Sequence, residues 1–198
     1  MAKNKVKYNL KNAHYAMLTV DEEGTVSYAP PVTLPGAVSI SLDANGEPEN
    51  FYADGVAYYV INNNMGYDGD LELAMIPEDF RVSALNETLD DKKVLIENAN
   101  TELNPFALLF EFDGDVKHIR HVLYNCSASR PGIEGKTNEE NREVQTETLS
   151  IKATPLASGV VKAKTGDSTD AAVYADWYKA VYMPSIAETG SGTDQAGV

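Results

Sequence analysis

At 198 residues the chain is long enough for one sizeable core, and a formal charge of −14 excludes a conventional phosphate-gripping surface, which would rest on Lys and Arg. The single cysteine, Cys126, excludes an intrachain disulfide framework and fits a reducing compartment, so an intracellular origin is expected. No apolar run reaches the roughly 18–20 residues of a membrane-spanning helix, and the basic start continues into Tyr8, Asn9 and Asn12 rather than the apolar stretch of a signal peptide.

The charge is unevenly spread. Lys3, Lys5, Lys7 and Lys11 stand without any acid in the first twenty residues. This beginning reads as an arm over about residues 1–12, either solvated or docked on an acidic neighbour. Tyr15–Val20 is a compact apolar strand, broken by the turn Asp21-Glu22-Glu23-Gly24 and returning at Thr25–Tyr28. After Pro30, Pro31 and Pro35, the stretch Gly36–Leu42 alternates, with Val38, Ile40 and Leu42 on one face, as a half-buried strand does. A polar turn over 43–50 leads to strand pieces at Phe51-Tyr52 and Val56–Ile61, separated by Asp54-Gly55.

Further on, Leu71–Ile76 reads as a strand. Pro77-Glu78-Asp79 opens a helix ending near Leu85, because Pro suits the first turn and acids suit the positive helix N-terminus. Pro105–Arg130 reads as a long two-stranded ribbon folded about Asp113-Gly114-Asp115, since Asp-Gly supplies the positive φ of a tight turn. A three-residue loop would set Glu111 opposite Lys117 and Phe112 opposite Val116, although other registers remain open. Parity puts Phe110 and Phe112 on a core face and Glu111 on the opposite, exposed one. Pro131–Gln145 is almost devoid of apolar side chains and reads as a solvent loop or a projecting interaction loop. Strands follow at Thr146–Thr154, with Leu149 and Ile151 inward, and at Val160–Lys164. A second helix starts near Asp170, carries Val173, Trp177 and Val181 at helical spacing, and stops at Met183-Pro184; residues 187–198 read as a disordered tail.

The chain offers little chemistry. His118 and His121 differ by an odd number of positions and would point to opposite faces of a strand. Asp113 with Asp115, and Asp68 with Asp70, are read as turn residues rather than calcium ligands, for want of a ligand-dense loop. Cys126 reads as a buried structural thiol. Ser127 and Ser129 lack a nucleophile elbow, and no phosphate-binding glycine loop is present. No catalytic, cofactor or metal residue is assigned, and an enzyme is not expected.

Several blocks, taken in order, resemble the major tail proteins of long, flexible-tailed bacteriophages. They are Leu10–Ala16, Gly66–Ala74 (GYDGDLELA), Pro77–Phe80, Phe106–Phe112 (FALLFEF), His121–Pro131 (HVLYNCSASRP), Glu134–Thr137 and Thr146–Leu149. The similarity runs from about Val6 to Tyr182. It implies a mainly β fold, a β-sandwich or small barrel with a flanking α-helix, over a single domain of residues 1–186 with an N-terminal arm and projecting loops. It also implies a virion protein, made in the host cytoplasm, whose hexameric rings stack into a tube around a tape-measure protein. Tail terminator and distal tail proteins would be further partners, and double-stranded DNA would pass through the bore without specific binding. On this reading Lys3, Lys5, Lys7, Glu134, Lys136, Asn138 and Glu139 are candidates for contacts between subunits and stacked rings, and Glu111 and Lys117 for the barrel or lumen face. A rival reading is a β-sandwich module binding carbohydrate or protein, with Tyr52, Tyr58, Tyr59 and Trp177 as a stacking platform.

Overall fold

The computed structural model describes residues 3–138 and 142–185. Among these residues the fold is mainly β, with a large antiparallel sheet and two short helices. In chain order the elements are β1 (Lys7–Val20), β2 (Val26–Tyr28), β3 (Val32–Thr33), β4 (Ala37–Asn45), β5 (Glu49–Ala53), β6 (Val56–Ile61), β7 (Gly66–Leu73) and α1 (Glu78–Ser83). They continue with β8 (Thr88–Leu89), β9 (Leu95–Ile96), β10 (Phe106–Gly114), β11 (Ile119–Ala128), β12 (Glu147–Thr154), β13 (Lys162–Lys164) and α2 (Ala171–Asp176). The main sheet runs β2-β1-β10-β11-β12-β7-β4, with β13 added to β11 and β3 to β1; among the described residues β5 pairs only with β6, and β8 only with β9.

β10 is the spine of the sheet, and its sequence explains why. Phe106, Leu108 and Phe110 enter one core with Tyr15, Leu71, Leu73, Phe80 and Leu149, while Ala107 and Leu109 enter a second with Val122, Tyr124, Leu156 and Trp177. A strand apolar on both faces must be covered on both. The sheet curls around the first core until β1 and β4 approach one another, and Leu34 bridges the gap by donating its backbone N–H to Ala13 O at 2.8 Å. The C-terminal segment from α2 onward closes the second core.

Several expectations are corrected by this packing. The anticipated arm is strand from Lys7 onward, pairing Lys7 with Gly114 and Lys11 with Glu111. Its polarity conceals two bulges, at Asn9 (φ 54°) and Asn12 (φ 51°), each an extra residue opposite β10. Asn tolerates this left-handed conformation better than other non-glycine residues. In β4 a bulge between Ala37 and Ser39 leaves Val38 exposed, and Ala37, Ile40 and Leu42 pack on the core instead. Asp68-Gly69-Asp70 is not a turn but the middle of β7, where Gly69 lies between Leu42 and Ile151; a Cβ there would fall 1.9 Å from Ser41 O.

The β10–β11 connection also differs from the expected Asp-Gly turn. β10 ends at Gly114, β11 begins at Ile119, and the register sets Glu111 opposite Arg120 and Phe112 opposite Ile119. The longer loop is held by Asn4, which donates to Lys117 O (2.7 Å) and accepts from the backbone N–H groups of Val116 (2.9 Å) and Lys117 (3.0 Å). The tight Asp-Gly turn sits elsewhere. Asp54 (φ 53°) and Gly55 (φ 79°) join β5 to β6 with both central residues left-handed, the geometry that matches strand twist.

α1 ends at Ser83, close to expectation, and Arg81 ties it to the sheet through Glu147 Oε1 at 2.9 Å. α2 is shorter than its periodicity predicts. Asp170 caps it, accepting from Ala172 and Val173 N–H, but helix stops at Asp176 and the chain turns so that Trp177 enters the second core. The expected tail over 187–198 lies outside the described residues.

Candidate assembly surfaces

The β5–β6 hairpin makes no contribution to either core. Phe51 pairs with Tyr59 on one face, which Ile61 shares, while Tyr52 and Val60 lie on the other. All are exposed, from Val60 and Ile61 at 47% to Tyr52 at 66%, and Tyr58 beside them is exposed at 72%. Monomeric proteins rarely leave a contiguous apolar surface of this kind uncovered, and a lone two-stranded hairpin is at best marginally stable in water. The strands and their tyrosines are legible in the sequence; that no described residue covers them is not. Trp177 does not join them: it is 2% exposed and stacks on Tyr182, so the four-aromatic platform is not formed.

The stacking candidates fall at two ends of the β10–β11 ribbon. Lys3, Lys5 and Lys7 lie exposed beside the β10–β11 loop, where the Lys5 N–H donates to Asp115 Oδ1 at 2.8 Å and the Lys7 ammonium sits 4.6 Å from the Phe112 ring centre. Glu134, Lys136 and Asn138 are exposed at the other end, after β11. That loop has a clasp: Gln145 accepts from Lys136 N–H (2.9 Å) and donates to Lys136 O (2.7 Å). Glu139 lies outside the described residues.

Glu111 corrects the expected exposed face. The residue is 1% exposed, its carboxylate accepting from Asn12 Nδ2 (2.6 Å), Arg120 Nε (3.0 Å) and Tyr178 Oη (3.2 Å). Parity was right in separating it from Phe110, but its own face is roofed by the C-terminal segment. Arg120 also donates to Tyr174 O and lies 3.8 Å from the Tyr174 ring centre. Lys117 does not face Glu111; its ammonium sits over the other part of that roof, 3.9 Å from the Tyr174 ring centre. Burial, with the Glu111 charge beside it, pushes the Tyr178 phenol well above its ordinary pKa. These groups therefore fasten the C-terminal segment to the ribbon.

No family model matches this chain, and no curated protein matches it. Among solved structures the chain is similar to one in a cryo-EM structure of the anti-feeding prophage (AFP) baseplate, 6-fold symmetrised, with a TM-score of 0.47 and 10% identity. The match covers 85% of this chain and 99% of that one. A likeness at this level decides nothing about what the chain does.

The remaining candidates for chemistry are held in structural contacts. His118 Nδ1 lies 2.7 Å from Asp113 Oδ1, whereas His121 stacks on Phe110 with ring centres 5.1 Å apart. Burial, assisted by Lys164, Lys7 and Lys162, lowers the His121 pKa to about 4. Cys126 is fully buried and its thiol pKa is pushed up to about 12, which keeps it a thiol at neutral pH. Asp68 and Asp70 accept from Asn45 Nδ2 (2.7 Å) and Ser150 Oγ (2.8 Å) across neighbouring strands. Sequence reasoning missed Asn4, Asn9 and Asn12. Their signal was the recurrence of asparagine in the stretch read as an arm: Asn9 and Asn12 suit left-handed backbone, and Asn4 suits the free polar groups of a loop.

Proposed function

We propose that this chain is a non-catalytic structural subunit that self-assembles into stacked, hexameric rings of a bacteriophage-type tail tube. The observation that carries the reading is the β5–β6 hairpin, whose aromatic and aliphatic side chains are exposed on both faces. Such an element gains stability only when another surface covers it. The ordered sequence blocks resembling major tail proteins supply the kind of assembly. Exposed polar groups at both ends of the β10–β11 ribbon suit contacts between stacked layers. The net charge of −14 suits a conduit for DNA, because acids facing a bore repel phosphates and prevent sticking. A tape-measure protein inside the tube, terminator and distal proteins at its ends, and a place in the virion belong to the same proposal.

Sedimentation velocity and negative-stain microscopy of the concentrated protein test it. Rings or tubes with six-fold symmetry are the expected result. A monodisperse monomer at every ionic strength, with a tape-measure partner present, would overturn the proposal.

A further inference from the structure

A cleft of about 340 Å³ opens at the end of the sheet from which the β5–β6 hairpin departs. Its walls are Ile40 and Leu42 of β4, Tyr67 of β7, and Phe110 and Phe112 of β10. Two ammonium groups stand at its rim: Lys7, 4.6 Å from the Phe112 ring centre, and Lys162, 4.1 Å from that of Tyr67. Neither makes an ion pair with a carboxylate among the described residues. The site is therefore a trough with aliphatic and aromatic walls and cationic edges, lined also by Ser41 and His121, of a size that accepts a small ligand or a pair of side chains. The depressed His121 pKa reports the same positive surroundings, after the larger effect of burial.

The chain itself carries the complement. No Lys or Arg stands between Lys11 and Arg81, and the hairpin presents Tyr52 beside Asp54, both exposed, with Glu49 at its base. We propose that the cleft between Lys7 and Lys162 receives the hairpin tip of a second copy of this chain, with Tyr52 in the trough and Asp54 between the two ammonium groups. The proposal rests on the self-assembly reading and specifies one of its contacts. Charge complementarity selects this occupant: an aromatic side chain next to a carboxylate fits a trough of aromatic rings edged with ammonium groups. The contact is between unlike surfaces, so each copy is both donor and acceptor, and repetition propagates either a ring or an open filament.

Complementation between full-length chains tests it. A chain bearing Tyr52→Ala and Asp54→Lys keeps its cleft but loses its tip; a chain bearing Lys7→Glu and Lys162→Glu keeps its tip but loses its cleft. Each alone should associate at least about tenfold more weakly than wild type. Mixed together, they should form a one-to-one dimer in sedimentation velocity. A second measurement uses one chain carrying Ser41→Cys and Asp54→Cys with oxidised glutathione. A ladder of disulfide-linked multimers is expected, whereas an internally linked monomer, or no linkage beyond that of the single-cysteine controls, would overturn the proposal. Wild-type rings with no ladder and no complementation would reject the hairpin–cleft contact and leave the tube reading intact. A ladder from a chain whose wild type forms only open filaments would reject the ring and support the contact.

Discussion

Glu111 shows how a single residue can be placed on the right face and still be misjudged. Alternation along Phe106–Phe112 separates it from Phe110, yet its face is closed by Tyr178 and Arg120. Glu111→Lys is therefore expected to unfold the protein rather than spare it. Losing a buried acceptor and setting an ammonium beside Arg120 should cost about 3–5 kcal/mol, read as a large fall in thermal midpoint. A Glu111→Lys chain melting with wild type would mean that the C-terminal roof is not fastened there. His121 gives a pH signature of known sign. Its folded pKa is depressed from 6.5 to about 4, so the unfolded chain takes up the proton first as pH falls. The stability it contributes is complete above about pH 6.5, is lost progressively towards pH 4, and amounts to about 3 kcal/mol at about 1.4 kcal/mol per unit of pKa. Denaturant melts across that window, compared between wild type and His121→Phe, should show this portion of the slope removed in the variant.

Among the elements, β1 depends on its bulges. Asn12 holds a left-handed backbone and donates to buried Glu111 at 2.6 Å. Asn12→Gly keeps the backbone and loses only the hydrogen bond to a charged group, about 1.5–3 kcal/mol. Asn12→Ala should lose that and a further ~1–2 kcal/mol of backbone strain. Equal chemical-denaturation midpoints for the two variants would show that the bulge is not strained. The β5–β6 hairpin behaves oppositely, because no core rests on it. Phe51→Ser with Tyr59→Ser should leave global stability within about 0.5 kcal/mol while abolishing assembly. Thermal melts beside ring or tube yield decide this, and a large loss of stability would mean that the hairpin packs on its own subunit.

For the whole molecule, the arrangement of charge matters more than its total. The cation-free stretch between Lys11 and Arg81 carries the hairpin, while Lys7 and Lys162 stand at the cleft. Association between such surfaces is steered by charge and weakened by salt, since screening shortens from about 10 Å at 0.1 M to 3 Å at 1 M. The association constant should therefore fall as salt rises through that range, measured by light scattering at fixed protein concentration. Assembly that strengthens with salt instead would assign the contact to apolar burial alone.

Much of the β architecture was legible locally. Alternation in Leu71–Leu73 and Leu149–Ile151, the two-sided apolar run of β10, and the Pro77 helix start each express short-range rules, which need no knowledge of the partner strand. Asp54-Gly55 and Asp113-Gly114 show where that legibility stops. The dipeptides are the same, but only the first forms the tight turn; Asn4, more than a hundred residues distant in sequence, holds the second connection open. The bulges at Asn9, Asn12 and Val38 likewise shift side chains between faces according to the opposing strand, which periodicity within one strand does not encode. Tertiary structure alone decided that Glu111 is roofed and that the hairpin tyrosines are not. Burial is set by what folds over a face, and the covering chain here, residues 171–182, lies far along the sequence from the strand it protects.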